Sequence, residues 1–481
     1  MKLIIAEKPS VGRDIAKVLG ALSNNNGYCE GSGYICTWAF GHLVSLYDCS
    51  DYKEEWKSWK SIPVIPTKFK IKLNSSSGVK EQMEVIKKLI NRDDVTTIVC
   101  ATDAGREGEL IFRHIYNYLR CKKPIERLWI NSMVEEDIKK GFENLEDGDS
   151  DKYINLYECA YAREQADWLV GINMTRCFSN MYSAYGEKPL SIGRVQTPTL
   201  KMIVDREKEI SSFVRNYYYK AQIHYDDIVA EYDVKFENRE EAESIVQAVD
   251  GTCSIIQSVK REIKRKKAPM LFDITLLQKE CNKRLGLNAK NTLDVAQSLY
   301  EKKLITYPRA DSKFLNASME IEARNLAEQI CSQRDINVTI NTKAVIDDTK
   351  VSDHHAIIPT IKALHVNSLN ETERDILEMI MLRFIVSMSP AMLYEHVSTS
   401  IKAGDYIFKA NANRTIESGW TALDFEDRTN SIDAEKQDKN IRLFEYKEND
   451  SWQQIESNVN SIETKPKQRF TDDTLLTAME N

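Results

Sequence analysis

Two acidic side chains follow the ends of two predicted strands in the first part of the 481-residue chain. Glu7 comes directly after the apolar run Lys2–Ala6, and Asp103 comes just after the β-branched run at residues 96–101. Because the carboxyl ends of neighbouring parallel strands open onto one crevice, we expect these carboxylates to converge. Mg²⁺ prefers carboxylate oxygens as ligands and keeps other coordination positions open for water and phosphate. The pattern indicates a magnesium site, with a solvated strand end and a helix N-terminal cap as the alternative.

Tyr307 is a candidate nucleophile, although a tyrosine at the end of a helix more often packs against the protein. It is followed by Pro308, which fixes the backbone, and by Arg309, which places a permanent cation where a phosphate could sit. A tyrosine oxygen can form a covalent intermediate. The sequence therefore allows a nucleophilic role for Tyr307 without excluding a packing role.

The histidine pair His354 and His355 offers two further polar groups. The two histidines could bind a metal ion, but no third ligand lies nearby in the sequence. A hydrogen bond from one imidazole to a phosphate is the favoured interpretation, with the other ring in solvent.

Polar residues of the helical stretch at 151–209 could line a groove for single-stranded DNA. Arg163 and Asp167 share one helix face, where a surface ion pair is the alternative. Arg194, Gln196 and Trp168 would add phosphate contacts and base stacking. The basic run at residues 260–267 is interpreted first as a solvated strand or linker and only second as a DNA contact.

Length and composition exclude several classes of protein. A chain of 481 residues predicts several domains, and its net charge of −7 confines any DNA contact to local basic patches. The ten cysteines form no C-x-x-C pair, which argues against a zinc ribbon and for reduced, intracellular thiols. The sequence has no phosphate-binding G-x-x-x-x-G-K-[ST] loop, no signal peptide and no membrane span, so we expect a cytoplasmic protein without a nucleotide cofactor.

The periodicity predicts alternating structural modules. Residues 1–150 are typical of strands alternating with helices, and a helical region follows. One β-rich module is predicted from two segments of the chain, the first from about residue 216 to 271 and the second from about residue 391. The residues between them form a predicted helical excursion, which is broken at Gly286. Residues 426–469 are polar and irregular, with strands predicted around 441–446, and a helix begins at 471.

Several segments, taken together and in this order, resemble the type IA DNA topoisomerases, and most closely those of the topoisomerase III kind. They are Ile5-Ala6-Glu7-Lys8-Pro9-Ser10, Phe40-Gly41-His42-Leu43, Thr102 to Glu109, Ile192 to Thr199, Thr292 to Glu301, Ile305 to Ser312, and His354 to Thr360.

The resemblance implies a multidomain fold of α/β, α and β modules, with a Toprim domain followed by a toroidal core. The implied domains are a Toprim domain at 1–150, a helical DNA-groove domain at 151–215, a β-rich gate arm at 216–270 and 391–465, a CAP-like helical domain with the nucleophilic tyrosine at 271–390, and the start of a return to the helical domain at 466–481.

The resemblance also implies the roles of individual residues. The implied catalytic residues are Tyr307, Glu7, Lys8, Arg309 and His354; the implied Mg²⁺ ligands are Glu7, Asp103 and Glu107; the implied DNA-binding residues are Arg163, Asp167, Arg194, Gln196 and Ser312.

The implied activity is ATP-independent. It cleaves one DNA strand through a 5′-phosphotyrosine, passes a strand and reseals, and so relaxes negative supercoils or decatenates DNA. The partners would be single-stranded DNA and supercoiled or catenated duplex DNA, and the enzyme would be a cytoplasmic monomer, nucleoid-associated in a bacterium. The alternatives are another Toprim nuclease or primase, or a truncated, catalytically weak remnant that binds single-stranded DNA.

Three departures from the family pattern bear on these expectations. Gly105 stands at the middle position of the family's Asp-x-Asp-x-Glu signature, and Ala310 stands where a threonine usually follows Tyr-Pro-Arg. The chain ends at Asn481 before the family's closing Gly-Thr-Pro-Ala-Thr-Arg type motif, which predicts a truncated form.

Overall fold

The computed structural model describes residues 1–130, 133, 135–184, 187–351, 354–366, 368–423, 440–453 and 455–480. The chain divides into two compact units. The first contains Met1–Met202, Lys290–Ser312 and Ser352–Ala363, and the second contains Ile203–Ala289, Lys313–Val351 and Leu364–Asn481.

Strands and helices alternate in the first part of the chain, as predicted, except at residues 23–46, where four strands follow one another. The strands are β1 (Lys2–Ala6), β2 (Ser23–Asn25), β3 (Tyr28–Gly31), β4 (Tyr34–Trp38), β5 (Val44–Leu46), β6 (Ile71–Leu73), β7 (Thr97–Ala101), β8 (Ile125–Arg127), β9 (Glu146–Asp147), β10 (Tyr217–Tyr225), β11 (Ile228–Tyr232), β12 (Ser254–Lys266), β13 (Met392–Ala403), β14 (Tyr406–Glu417), β15 (Ser451–Trp452) and β16 (Glu456–Glu463). The helices are α1 (Pro9–Leu19), α2 (Cys49–Tyr52), α3 (Val79–Ile90), α4 (Arg106–Tyr118), α5 (Glu135–Glu143), α6 (Asp151–Tyr182), α7 (Gln196–Ser211), α8 (Arg239–Val249), α9 (Ile274–Leu285), α10 (Ala289–Glu301), α11 (Glu320–Gln333), α12 (Glu371–Ser387) and α13 (Asp472–Glu480).

The sheet of the first unit is mixed. Its strand order is β2-β3-β4-β1-β7-β8-β9, and the four central strands β4, β1, β7 and β8 run parallel. The edge strands β2, β3 and β9 are antiparallel to their neighbours. The predicted parallel sheet is therefore confirmed only at its centre, because the tight turns that join β2, β3 and β4 permit only antiparallel pairing.

Both faces of β1 are buried, which explains its unbroken apolar sequence. Leu3 and Ile5 pack into one hydrophobic core together with side chains of α3 and α4. Ile4 and Ala6 pack into a second core, formed with side chains of α1 and α5. This central position fixes where β1 ends, and therefore where the residue after Ala6 lies.

A buried ion network supports the neighbouring strand end. Arg127 and Glu109 are both completely buried, and the Arg127 Nε donates to Glu109 Oε2 at 3.1 Å. Arg113 Nε donates to the other oxygen of Glu109 at 3.3 Å. The remaining Arg127 nitrogens donate to backbone carbonyls, including those of Thr102 and Asp103, at 2.8 and 2.7 Å. One guanidinium thus holds the loop after β7.

The second unit is built on an antiparallel sheet of order β15-β12-β13-β14-β11-β10-β16. Its strands come from residues 217–266 and 392–463, and its core includes Ile223, Val397, Phe408 and Trp452. The basic run at 260–267 lies mostly in β12, where Lys260 pairs with Glu262. It therefore forms a solvated strand, while the domain boundaries inferred from the sequence stay predictions.

The strands predicted around residues 441–446 are wrong. Ile441–Phe444 forms a 3₁₀ helix whose Leu443 is buried in the core of the sheet. The side chain of Asn440 accepts from the amide of Val229 at 2.7 Å and donates to the same residue's carbonyl at 3.1 Å. These two hydrogen bonds hold the segment against the sheet, so that Leu443 reaches the core. The polar composition of residues 426–469 gave no indication of this contact. Residues 426–439 of the predicted irregular segment lie outside the described residues.

The helical predictions agree closely with the structure. The predicted break at Gly286 is confirmed, because α9 ends at Leu285 and Gly286 closes it with a φ of 67°. The predicted helical excursion also contains α12, which begins with a capping box on Asn370. Within the described part of the chain, no helix is both long enough and apolar enough to cross a membrane.

Replacement of Glu109 by glutamine should strongly destabilise the first unit. The substitution leaves the two buried guanidinium groups of Arg113 and Arg127 without their shared carboxylate, which should cost about 3–5 kcal/mol. Urea titration followed by circular dichroism measures the change in the free energy of unfolding. As a control, Glu135→Ala on α5 removes an ion pair that is more than half exposed and should change stability by less than about 0.5 kcal/mol. Equal losses in the two variants would contradict the network.

Candidate active site

Glu7 and Asp103 meet at the carboxyl edge of the first sheet. The strands that precede them, β1 and β7, are hydrogen-bonded neighbours in parallel register, with Ala6 beside Ala101. The backbone amide of Asp103 donates to Glu7 Oε2 at 3.2 Å. The convergence predicted from the two strand ends is therefore present in the structure.

The ionisation of Glu7 is strongly perturbed. Burial raises its pKa to about 7, and the charge of Asp103 adds to this effect. The Asp103 amide and the cations Lys8 and Arg309 lower the pKa in part. Glu7 is therefore a carboxyl group that can hold a proton near neutral pH.

Tyr307 is carried by a short two-stranded ribbon after α10. Thr306 donates its amide to the carbonyl of Ile358 at 3.0 Å, and Thr360 donates its amide to the carbonyl of Leu304 at 2.9 Å. The Thr306 hydroxyl also accepts from the amide of Ile358 at 3.0 Å. We name residues 303–307 and 356–360 the Tyr307 ribbon. It holds the tyrosine through backbone pairing, so its position does not depend on a free loop.

The Tyr307 side chain lies against the acidic pair. Together with Asp103 and His354, it lines one small cavity. Its ring lies 4.2 Å from that of His354 and makes an edge contact with Tyr300 at 5.5 Å between centroids. Burial, then Asp103 and Glu7, raise the pKa of the phenol far above its usual value, whereas Arg309 lowers it. The phenol is therefore held protonated.

The two histidines lie in different surroundings. Burial and the neighbouring His355 lower the pKa of His354 to about 4, so its imidazole is neutral at physiological pH. His354 Nδ1 has no hydrogen-bond partner among the described residues, and its ring lines a small cavity together with Asp103 and Tyr307. His355 is buried and its Nδ1 lies 2.8 Å from the carbonyl of Ala356, which rules out the expected solvent position for the second ring.

Glu107 is turned toward His42 and not toward the acidic pair. Its Oε1 lies 2.6 Å from His42 Nε2, and this hydrogen bond, followed by the charges of His42, Arg163 and Arg309, lowers the pKa of the carboxyl. The same contact raises the pKa of His42. Arg309 thus lowers the pKa of Glu7, Glu107 and Tyr307, in each case as the smallest of the named effects.

The carboxylates fit a magnesium ion held by few protein ligands. In the part of the chain that the structure describes, no group of three or more histidine, cysteine, aspartate or glutamate side chains is arranged as a metal site. Mg²⁺ commonly takes only one or two carboxylates and fills its other positions with water and substrate phosphate. The mutual repulsion of Glu7 and Asp103, seen in the raised pKa of Glu7, is the feature that a cation would relieve.

Two glycines differ sharply in the acidic loop. A Cβ at Gly108 would lie 2.1 Å from the carbonyl oxygen of Asp103, so the loop can fold over α4 only because this position lacks a side chain. Gly105, in contrast, has extended backbone, and a Cβ there would meet no described heavy atom within 4 Å. The aspartate that the family carries at this position would therefore fit.

Four of the five residues predicted to bind DNA lie on exposed parts of α6 and near the start of α7, and the fifth, Ser312, lies outside both helices. Asp167 pairs with Arg194 at 2.8 Å and not with Arg163, so the surface pair considered within α6 is not formed. Gln196 donates to the Ser191 hydroxyl at 2.8 Å, and Ser312 is buried. Arg163 is exposed and acts on Glu107 through its charge.

Trp168 does not offer a free face for base stacking, contrary to prediction. Its indole nitrogen donates to the carbonyl of Tyr47 at 3.0 Å, and its ring packs edge-on against Tyr52 and Phe69. An aromatic side chain beside two charged residues on a helix gave no sign that its ring would be used for packing.

The sequence interpretation missed the functional neighbours of the site. His42 follows β4 and Arg127 ends β8, and both strands run parallel beside the pair that carries Glu7 and Asp103. The strand-end argument that selected the two acids would also have selected these residues. Tyr300 lies in the segment Thr292 to Glu301, and its ring contacts that of Tyr307. The sequence interpretation assigned it no role.

Comparisons with known proteins agree with this arrangement. A family model described as a Toprim domain matches residues 2–133, and one described as DNA topoisomerase matches residues 151–481. DNA topoisomerase 3 of Bacillus subtilis is 39% identical over 496 residues, which cover the whole of this chain and 67% of that protein. DNA topoisomerase 3 of Bacillus licheniformis is 39% identical over 498 residues, with the same coverage.

A solved structure of full-length topoisomerase I from Thermotoga maritima has a similar fold. It superposes with a TM-score of 0.72 at 24% sequence identity, over 99% of this chain and 75% of that one. The family models, the full-length sequence match and the shared fold lead to one conclusion: the chain belongs to the type IA DNA topoisomerases and is most similar to their topoisomerase III branch.

Proposed function

We propose that Tyr307 is the nucleophile of this topoisomerase and that Glu7, Lys8, Arg309 and His354 act with it on one phosphodiester. The observation that carries the proposal is that Tyr307 and Asp103 line one small cavity, beside the protonatable Glu7, which accepts a hydrogen bond from the Asp103 amide. A nucleophile, a proton acceptor and a proton donor are thus within one buried site.

The proposed cleavage step balances its protons within this site. The Tyr307 oxygen attacks phosphorus while its proton passes to Asp103. The bond from phosphorus to the 3′ oxygen breaks, and Glu7 delivers a proton to the leaving oxygen. The products are a 5′-phosphotyrosine and a free 3′-hydroxyl, and resealing reverses each transfer. The phosphotyrosine keeps the free energy of the original ester, so no ATP is needed.

Cations and a neutral imidazole surround the reacting phosphate in this proposal. Arg309 and Lys8 offset charge on the phosphoryl oxygens, as Arg309 already does for the phenol. His354, which is neutral, is placed to hydrogen-bond a phosphate oxygen.

Asp103, Glu7 and Glu107 are the proposed ligands of Mg²⁺. The ion would supply positive charge that relieves the repulsion between carboxylates and phosphate. Glu107 is engaged by His42, so we assign the larger share of binding to Asp103 and Glu7.

The DNA strand is proposed to approach along α6 and the start of α7. Arg163, Gln196 and the Asp167–Arg194 pair would contact its phosphates, and Ser312 would support the Tyr307 segment. Separation of the Tyr307 ribbon from the acidic pair would then open a gate for the passing strand. The predicted helical, gate-arm and CAP-like boundaries belong to this proposal.

We further propose that the enzyme works as a cytoplasmic monomer on negatively supercoiled or catenated DNA, without a nucleotide cofactor. A non-catalytic remnant is disfavoured, because the buried phenol, the acidic pair and Arg309 are all assembled. A Toprim nuclease or primase without a tyrosine nucleophile does not explain why Tyr307 lines the same cavity as Asp103.

Replacement of Tyr307 by phenylalanine should abolish the covalent adduct with a single-stranded oligonucleotide in Mg²⁺. Loss of a nucleophile typically lowers the rate by at least about 10³-fold. Gel electrophoresis of oligonucleotides labelled at one end or the other detects the adduct and its polarity, and the 3′ label should remain with the protein.

The matched control is Tyr217→Phe, which removes the hydroxyl of an exposed tyrosine in β10 and should leave the adduct yield unchanged. Undiminished adduct in Tyr307→Phe, or retention of the 5′ label by the protein, would contradict the proposal.

Replacement of Gly105 by aspartate should strengthen the response to Mg²⁺. The new carboxylate fits sterically and would stand two residues from both Asp103 and Glu107. We expect the Mg²⁺ concentration for half-maximal adduct religation to fall by roughly tenfold.

Gly105→Asn is the control, since the amide has the same shape but no charge. If aspartate and asparagine behave alike, the second acidic position contributes nothing to magnesium binding in this chain.

A further inference from the structure

Two ion pairs join the chain before Tyr307 to α1 and to the residue that precedes this helix. Lys303 Nζ lies 2.7 Å from Asp14 Oδ1, and Lys8 Nζ lies 3.7 Å from Glu301 Oε1. Their side chains are between 24% and 47% exposed, so water and salt reach both pairs. Exposed pairs of this kind are weak enough to form and break repeatedly.

Both ends of the Asp14–Lys303 pair are anchored close to reacting groups. Asp14 lies on α1, which begins two residues after Glu7. Lys303 lies four residues before Tyr307 and begins the Tyr307 ribbon. The pair therefore links the element that follows one carboxylate to the element that carries the phenol.

The backbone of Lys303 is held in an unusual conformation. Its φ is 64°, a left-handed value that few residues other than glycine adopt. The Thr360 hydroxyl donates to the carbonyl of Lys303 at 2.6 Å, and the Lys303 amide donates to the carbonyl of Tyr300 at 2.8 Å. These bonds fix the point from which the lysine side chain reaches Asp14.

We propose that Asp14 and Lys303 are positioning residues, whose ion pair seats the Tyr307 ribbon on the acidic site and must break each time the gate opens. The pair supplies attraction at the edge of the contact between the ribbon and the acidic site. The inference rests on the proposed function, since it assumes that the ribbon and α1 separate during the reaction.

The role predicts a salt-dependent closed state. Attraction between partly exposed charges is screened as the ionic strength rises. In the parent enzyme, the ratio of closed to open gates should therefore fall between about 50 mM and about 300 mM salt. A neutral pair, Asp14→Asn with Lys303→Gln, should lose part of this dependence and favour the open gate by about 2–5-fold at low salt.

Charge reversal separates this role from a general effect on folding. Asp14→Lys and Lys303→Asp each place like charges together, and each should shift the gate toward the open state by at least about fivefold. The double variant restores an attraction of reversed polarity and should return the ratio to within about twofold of the parent. The ratio is measured on single tethered DNA molecules under force in Mg²⁺, from the dwell times of the open and closed covalent complex.

Glu243→Arg is the matched control, because it breaks an exposed pair with Arg239 on α8 in the second unit. It should leave the dwell times unchanged. Thermal unfolding of every variant is recorded, and a single variant that does not fold is replaced by the double and neutral pairs, which keep no like charges.

The inference fails if the double reversal stays as open as either single variant, or if the neutral pair matches the parent at low salt. Failure of the proposed function is a different result, namely no covalent adduct in the parent enzyme. Adduct formation by the parent together with unaltered dwell times in all variants would overturn the positioning role alone.

Discussion

The chemistry of this chain depends on keeping two carboxyl groups and a phenol together in a buried space. Burial disfavours the charged forms of these groups, and the neighbouring carboxylate charge adds to this effect. The pKa of Glu7 rises to about 7, and that of Tyr307 rises well above its usual range. The phenol is thus protonated before substrate arrives, and Glu7 can hold a proton near neutral pH. A phosphate and cations that enter the site would change the protonation of Glu7 and Tyr307. The close packing that keeps the phenol protonated in the free enzyme would therefore also prepare the proton transfers of cleavage.

The surrounding fold supplies the rigidity that this crowding requires. Adjacent parallel strands set the spacing of Glu7 and Asp103, and the completely buried Arg127 holds the carbonyls of the loop after β7. Gly108 lets that loop lie directly on α4. On the opposite side, backbone pairing within the Tyr307 ribbon presents the phenol. The acidic side is thus fixed by a buried charge network, whereas the ribbon meets α1 through a partly exposed ion pair. Strong bonds within each side and weaker bonds between them are what a gate needs.

Much of the site could be predicted from the sequence because its logic is local. The strand-end argument needed only two apolar runs to place Glu7 beside Asp103, and Pro308 and Arg309 marked Tyr307. Other features depend on packing between distant segments. Glu107 turns to His42, 65 residues away, and Trp168 packs against Tyr52 and Phe69. The 3₁₀ helix at Ile441–Phe444 follows from a tether between Asn440 and Val229 that no local pattern encodes. The boundaries of the predicted gate arm and CAP-like domain remain predictions for the same reason.

The central claim is that the Tyr307 oxygen and the acidic pair act on one phosphorus atom. A crystal structure of the Tyr307→Phe variant with a single-stranded oligonucleotide and Mg²⁺ tests this directly, because the uncleaved strand should remain bound. We expect one phosphate between the ring of residue 307 and Asp103, contacted by Arg309. A strand bound with every phosphate distant from both Asp103 and the ring at position 307 would contradict the account.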